Sequence, residues 1–182
     1  SLESSLFYIR FGIFSLSIWF LIDRNKKLSK NFTIFLLLSF CIALFDGLYQ
    51  YIFGENIFGY TVIGDLKSIR MTLLLSEESI LGGYLARLFP LVLALLIHHF
   101  YSNKIIVFLI FILLIITDLV VFFSGERTAI ALMFIFTMLI LIMISRFRLS
   151  RVITFLISIM IIVFFTLNSP QLIERNINQT LT

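Results

Sequence analysis

The residues in this sequence best suited to chemistry are arginines beside long apolar runs. Arg127 stands in the short polar interruption Ser124–Arg127 between two such runs. Ser124 is of a type that caps helix N-termini and Gly125 permits a tight turn, so we expect the next helix to begin near Glu126. A helix start carries unpaired N–H groups and a positive dipole end, to which an arginine adds a full charge. The turn is therefore a candidate site for a phosphate-like anion.

Two further charges interrupt apolar runs. Arg87 and Asp118 fall at comparable depth in consecutive antiparallel runs. Because a charge deep in a bilayer is costly, such groups pair with one another or line a polar cavity. We expect Arg87 and Asp118 to face the bundle interior within reach of a salt bridge or a water bridge, with Pro90 kinking the helix nearby. The alternative interpretation is a structural ion pair that fixes helix register.

A third group of charges lies between the runs. Arg70 precedes the acidic pair Glu77 and Glu78 in a long connection. Arginines in the outer loops of membrane proteins go against the positive-inside rule, and they are explained if their guanidinium groups bind an anion at the edge of the bilayer. For Arg70 alone, a solvated loop charge is the alternative.

The composition identifies the class of protein. The 182-residue chain is 60% hydrophobic and 13% charged, with a mean hydropathy of +1.10, which indicates a polytopic membrane protein. Most basic residues stand in short loops, so their excess reflects membrane topology and no nucleic-acid partner is expected. Cys41 is the only cysteine, which excludes an internal disulfide and a thiolate metal site. We expect no metal and no cofactor.

The apolar runs predict an all-α membrane bundle of about six helices in a single domain covering 1–182. A helix of about 20 apolar residues crosses the hydrocarbon core. The basic loops at 23–30 and 146–151 are predicted to be cytoplasmic, which places the loop 50–78 and the segment 168–182 on the outer side. The predicted spans lie near 5–22, 32–49, 79–99, 104–123, 127–145 and 152–167.

Four segments carry a resemblance to a known family. They are 46–59 (DGLYQYIFGENIFG), 70–72 (RMT), 76–90 (SEESILGGYLARLFP) and 124–129 (SGERTA). In their order and their fit to the topology, they resemble the bacterial O-antigen ligase and O-antigen polymerase superfamily over about residues 1 to 170. The chain departs from the family in having Leu73-Leu-Leu-Ser where a stretch containing Gly and Phe is usual.

The resemblance implies a multi-pass protein of the bacterial inner membrane whose active face is periplasmic. Such proteins transfer glycan from undecaprenyl pyrophosphate to a sugar hydroxyl of lipid A core or of a growing polysaccharide, here as an inverting, metal-independent reaction. It also implies that a large periplasmic loop would follow, so we expect this chain to be an N-terminal or central fragment with its general base beyond Thr182. Arg70 and Arg127 would hold the pyrophosphate, supported by Arg87, Asp118, Glu77 and Glu78.

Ligase and polymerase activity are both open at this point, because acceptor choice would reside in the loop that follows. Two other classes of function are also open. A transporter or flippase for a lipid-linked anion would use the same arginines, but it calls for an inner-face counterpart and repeat symmetry, and the sequence shows neither. A non-catalytic membrane subunit would use its buried charges for packing.

Overall fold

The computed structural model describes residues 23–59, 71–72, 80–100 and 104–168, together with 12–13, 16–17 and 19–20. The regular elements of these ranges are helical, which confirms the all-α prediction for this part of the chain. The helices are α1 (Lys26–Phe53), α2 (Leu81–Phe100), α3 (Lys104–Phe123), α4 (Arg127–Met143) and α5 (Arg148–Asn168), with a 3₁₀ turn at Ser145–Phe147 between the last two.

The helix bounds follow the predicted runs most closely in the middle of the chain. The predicted span 104–123 coincides with α3, and those at 79–99 and 127–145 lie within two residues of α2 and α4. Helix α1 starts six residues before its predicted bound because Asn25 caps it, with Oδ1 accepting the Lys27 and Leu28 N–H groups at 3.1 and 3.2 Å. Most of the predicted span 5–22, much of the loop 50–78 and all of 169–182 lie outside the described residues.

Four of the described helices are long and apolar enough to cross a membrane: α1, α2, α3 and α5. Helix α4 is also apolar but has only 17 residues. Large apolar side chains such as Ile142 (73% exposed) and Met160 (67% exposed) point outward, as they do on lipid-facing helix surfaces. The protein is thus a helical membrane protein with four supported spans, and the predicted count of about six is not reached within the described residues.

The chain packs as two compact units, Ser1–Leu38 and Ser39–Thr182. In the first, the guanidinium of Arg24 lies over the ring of Phe20, 5.2 Å from its centroid. The second contains the rest of α1 and all later helices. There α3 packs against α5, and α2 packs against both α3 and α4.

The core of the second unit is built on one face of α2. Leu81, Leu85, Phe89, Val92 and Leu96 are buried at spacings of three and four residues, which places them on one side of a helix. The opposite side of α2 includes Arg87 and Leu91, both exposed. Hydrophobic contact on one stripe therefore holds α2 in the bundle.

Aromatic rings show which helix ends meet. The ring of Tyr51, near the end of α1, stacks on that of Phe123 at the end of α3, with centroids 4.2 Å apart. Phe165, near the end of α5, meets Phe123 edge-on at 5.8 Å. The ends of α1, α3 and α5 thus lie together, and the starts of α2 and α4 join them through the contacts described below. We call this the turn end of the bundle.

Candidate functional site

The Ser124–Arg127 turn joins α3 to α4 at the turn end. Gly125 has a φ of +76°, so the prediction of a tight turn at this glycine is confirmed. The N-cap of α4 is Glu126 and the helix begins at Arg127, so the expected cap at Ser124 is wrong. Ser124 is buried instead and closes α3, its Oγ donating to the Val121 carbonyl at 2.7 Å.

Glu126 caps a neighbouring helix. Its Oε1 accepts the N–H of Gly82 and its Oε2 accepts that of Gly83, both at 2.9 Å. These N–H groups belong to the first turn of α2, where backbone donors have no partner within the helix. A carboxylate there gains both charged hydrogen bonds and a favourable interaction with the helix dipole. The turn is therefore fastened to the start of α2.

The two glycines allow this close approach. A Cβ at Gly82 would collide with the Ser124 side chain and come within 3.3 Å of the Ala129 Cβ. A Cβ at Gly83 would stand 2.9 Å from Oε2 of Glu126. The absence of side chains at these two glycines thus permits a close contact of α2 with the turn and with the first turn of α4.

Met71 and Thr72 run beside the same turn. The Met71 N–H donates to the Ser124 carbonyl at 3.4 Å, and Thr72 is hydrogen-bonded to the Gln50 side chain of α1. Arg70 precedes Met71 directly but lies outside the described residues, as do Glu77 and Glu78. Arg127 is exposed, three residues after Ser124.

Asp118 is paired with an arginine, but with Arg151 of α5. Nη1 of Arg151 donates to Oδ2 at 2.8 Å and Nη2 to Oδ1 at 2.9 Å, a two-pronged ion pair with both side chains buried. The prediction that Asp118 faces the bundle interior is confirmed. The prediction that Arg87 is its partner is wrong, because Arg87 lies on the exposed side of α2, away from the core stripe.

Helices α2 to α5 all contribute to the surroundings of this pair. Thr137 Oγ1 of α4 accepts from Nη2 of Arg151, and Ser158 Oγ of α5 donates to Oδ2 of Asp118 at 3.1 Å. The guanidinium also lies 5.7 Å from the Phe89 ring centroid and 5.5 Å from that of Phe155. Asp118 is therefore engaged on both oxygens and holds helices together.

Arg151 was missed at the sequence level because it was assigned to a cytoplasmic loop. Helix α5 begins at Arg148, four residues before the predicted bound, so Arg151 lies within the helix. A signal was present in the sequence: Arg151, Thr154 and Ser158 follow one another at spacings of three and four, which forms a polar stripe on one helix face. All three are buried.

Among the described residues, no group of three or more His, Cys, Asp or Glu side chains could hold a metal ion. Arg127, at the start of α4, is an exposed charge at the turn end. No protein-family model, curated protein or solved structure matches this chain.

Proposed function

We propose that the protein is a membrane glycosyltransferase resembling the O-antigen ligases and polymerases, acting at the periplasmic face of a bacterial inner membrane. Its donor would be a glycan on undecaprenyl pyrophosphate, and its acceptor a sugar hydroxyl of lipid A core or of a growing polysaccharide. The observation that carries the proposal is the hydrogen bond between the Met71 N–H and the Ser124 carbonyl. It joins the chain next to Arg70 to the turn that ends in Arg127.

The chemistry of the reaction explains why two arginines would be needed. When the acceptor hydroxyl displaces the pyrophosphate, negative charge develops on the leaving group. Fixed guanidinium groups stabilise that charge most strongly where water is excluded. In this proposal Arg70 and Arg127 grip the pyrophosphate oxygens without a metal ion, and Glu77 or Glu78 orients an arginine or the acceptor. Asp118 supports the site indirectly, because its ion pair with Arg151 holds together the helices that carry the turn.

The rigidity of the turn favours this role for Arg127. Glu126, its neighbour in the chain, is tied to α2 by two hydrogen bonds, and the close fit at Gly82 leaves the turn little room to shift. Catalytic electrostatics depend on groups that are already in place before charge develops. The start of α4 meets that condition.

The test is glycan transfer by the natural full-length protein in membranes, with Arg127→Ala compared with Arg127→Lys. We expect Arg127→Ala to lower the turnover about 100-fold or more, the usual cost of removing one donor to a developing anion. Arg127→Lys should recover part of the loss, because a lysine keeps the charge without the bidentate fork. Arg148→Ala is the matched control, since Arg148 is also exposed and begins α5. Undiminished transfer by Arg127→Ala refutes the site.

A non-catalytic membrane subunit is the second candidate, and the Asp118–Arg151 pair favours it. The pair is buried and fully engaged in holding helices, as expected of a packing device. This candidate gains support if the wild-type protein transfers no glycan from any lipid-linked donor and purifies in a fixed ratio with a second membrane protein.

A further inference from the structure

Three buried polar residues form a connection between α1 and the segment that borders the turn. Asp46 and Gln50 lie one helical turn apart on α1, and Thr72 belongs to the segment 71–72. Their exposed fractions are 0%, 2% and 0%. We call these three residues the α1 clamp.

Gln50 is the centre of the clamp because its amide is bonded on every side. Nε2 donates to Oδ2 of Asp46 at 2.6 Å and to the Thr72 carbonyl at 2.9 Å. Oε1 accepts the Thr72 N–H at 3.0 Å and the Thr72 hydroxyl at 3.4 Å. A glutamine amide has two donor hydrogens and one carbonyl with two lone pairs, so its whole capacity is used.

The pairing fixes both the position and the register of the segment. Gln50 meets the N–H and the C=O of one residue, as a peptide group of a neighbouring strand would. If the segment shifted by one residue, the backbone N–H and C=O groups beside Gln50 would point away from it. The Gln50 amide would then be left unpaired in the interior. Asp46 fixes Gln50 in turn, and its Oδ1 accepts the Ile57 N–H at 3.0 Å, which ties down the chain beyond α1.

A purely structural contact would not need this chemistry. Burying an amide and a carboxylate is costly unless each is fully hydrogen-bonded, and apolar side chains would fill the same space without that cost. A buried polar network allows only the arrangement of its groups in which every hydrogen bond is made. The segment so arranged is the one whose other side is bonded to Ser124.

We propose that Gln50 and Asp46 are positioning residues: they hold residues 71–72 against the Ser124–Arg127 turn and so set the geometry of the anion site there. The clamp itself is independent of the reaction, whereas its effect on donor binding rests on the proposed function. Neither residue needs to touch the donor.

The first experiment measures the clamp directly. Hydrogen–deuterium exchange of the full-length protein in lipid nanodiscs would follow peptides that cover residues 71 and 72. In Gln50→Met, we expect these peptides to exchange about tenfold faster or more, because the Thr72 N–H loses its acceptor. Peptides from α3 should be unchanged. Ile52→Met is the matched control, since Ile52 is on the same helix but 71% exposed. Unchanged exchange in Gln50→Met would overturn the proposal.

A second pair of variants guards against general misfolding. Gln50→Glu keeps the shape of the side chain but sets its carboxylate against the carboxylate of Asp46 and the carbonyl of Thr72, so exchange at 71–72 should rise. Adding Asp46→Asn supplies an N–H donor and removes one of the two charges, so the double variant should regain much of the protection. If the double variant exchanges as fast as Gln50→Glu, the pairing does not hold the segment and the proposal fails.

The third experiment links the clamp to the reaction. If the clamp positions the anion site, Gln50→Met should raise the KM for the undecaprenyl-pyrophosphate donor about tenfold relative to the Ile52→Met control. A merely structural role would lower the amount of active protein and leave KM as it was. Faster exchange with an unchanged KM would refute the positioning role. Faster exchange in a protein whose wild type transfers no glycan would instead refute the proposed function and leave the clamp standing.

Discussion

Replacing Asp118 with alanine would leave the Arg151 guanidinium charged and buried. Arg151 is 1% exposed and donates two hydrogen bonds to the Asp118 carboxylate, which also accepts one from Ser158. Breaking a buried pair by removing one partner costs about 3–5 kcal/mol. Against a total unfolding free energy of about 5–15 kcal/mol, that is a large fraction.

A smaller loss would follow if Arg151 could reach water. Arg151 is the fourth residue of α5, and long basic side chains near helix ends can extend towards the membrane surface. Average polar contacts in membrane proteins are also worth only about 0.6 kcal/mol. Two features oppose this escape: Thr137 binds the same guanidinium, and the rings of Phe89 and Phe155 lie beside it. We therefore expect Asp118→Ala to lower the unfolding free energy by about 3 kcal/mol or more.

Pulse proteolysis in mixed micelles, which reports the unfolded fraction at each SDS concentration, measures this loss. The double variant Asp118→Ala/Arg151→Met should recover most of the stability, because no charge is left unpaired. Asp23→Ala is the control, since Asp23 is exposed. A loss below about 1 kcal/mol for Asp118→Ala, or an equal loss in the double variant, would refute a structurally essential ion pair.

Two further predictions concern the contacts of the turn. Gly82→Ala should lower the unfolding free energy by about 1–3 kcal/mol, because its Cβ would collide with the Ser124 side chain. Gly12→Ala, where nothing lies within 4 Å of the new Cβ, should change the thermal midpoint little, and equal midpoints for the two variants would contradict the close-packing argument. Glu126→Gln should cost about 1–2 kcal/mol, because an amide presents only one acceptor to the N–H groups of Gly82 and Gly83 and carries no charge. The same micelle unfolding experiment checks it, and wild-type stability in Glu126→Gln would show that the carboxylate is not needed as a cap.

Hydropathy predicts the helices described from residue 26 onwards well, because a helix that crosses a bilayer needs a minimum length of apolar chain. The run that became α3 was bounded on both sides by polar residues, and its limits were predicted without error. The limits of α1 and α5 were less accurate, since each helix continues into polar sequence. Asn25 caps α1 ahead of its apolar run, and α5 includes Arg148 and Arg151 before its own. Basic residues alone do not mark where a helix begins.

The partner of Asp118 could not be obtained from depth alone. Counting residues along antiparallel helices placed Arg87 at a similar level, but depth does not specify which side of a helix faces the core. The apolar stripe of α2 runs through Leu85 and Phe89, which leaves Arg87 on the other side. Arg151 lies in the first turn of α5, and its long side chain extends to the Asp118 carboxylate.

The candidate site was predicted in part. The glycine turn and the exposed arginine after it follow from local sequence, because turn conformation and helix initiation are decided over a few residues. The cap from Glu126 to α2 and the clamp between Gln50 and Thr72 join residues 43 or more and 22 apart in the chain. Such contacts depend on how helices pack against one another, which local spacing does not encode.

The close contacts at the turn end also define a fingerprint by which relatives of this protein could be found. At lipid-facing positions, Leu, Ile, Val and Phe can replace one another with little loss of stability. The sequence identity between related membrane helices therefore falls quickly as they diverge. Gly47 and Gly82 are different, because a Cβ at either would meet a neighbouring side chain within 2.5 Å. Glu126 is limited by its two backbone donors and Gln50 by its four hydrogen bonds. A search for these residues at their spacing, with any apolar residue allowed at the lipid-facing positions between them, should detect related proteins that whole-chain comparison does not.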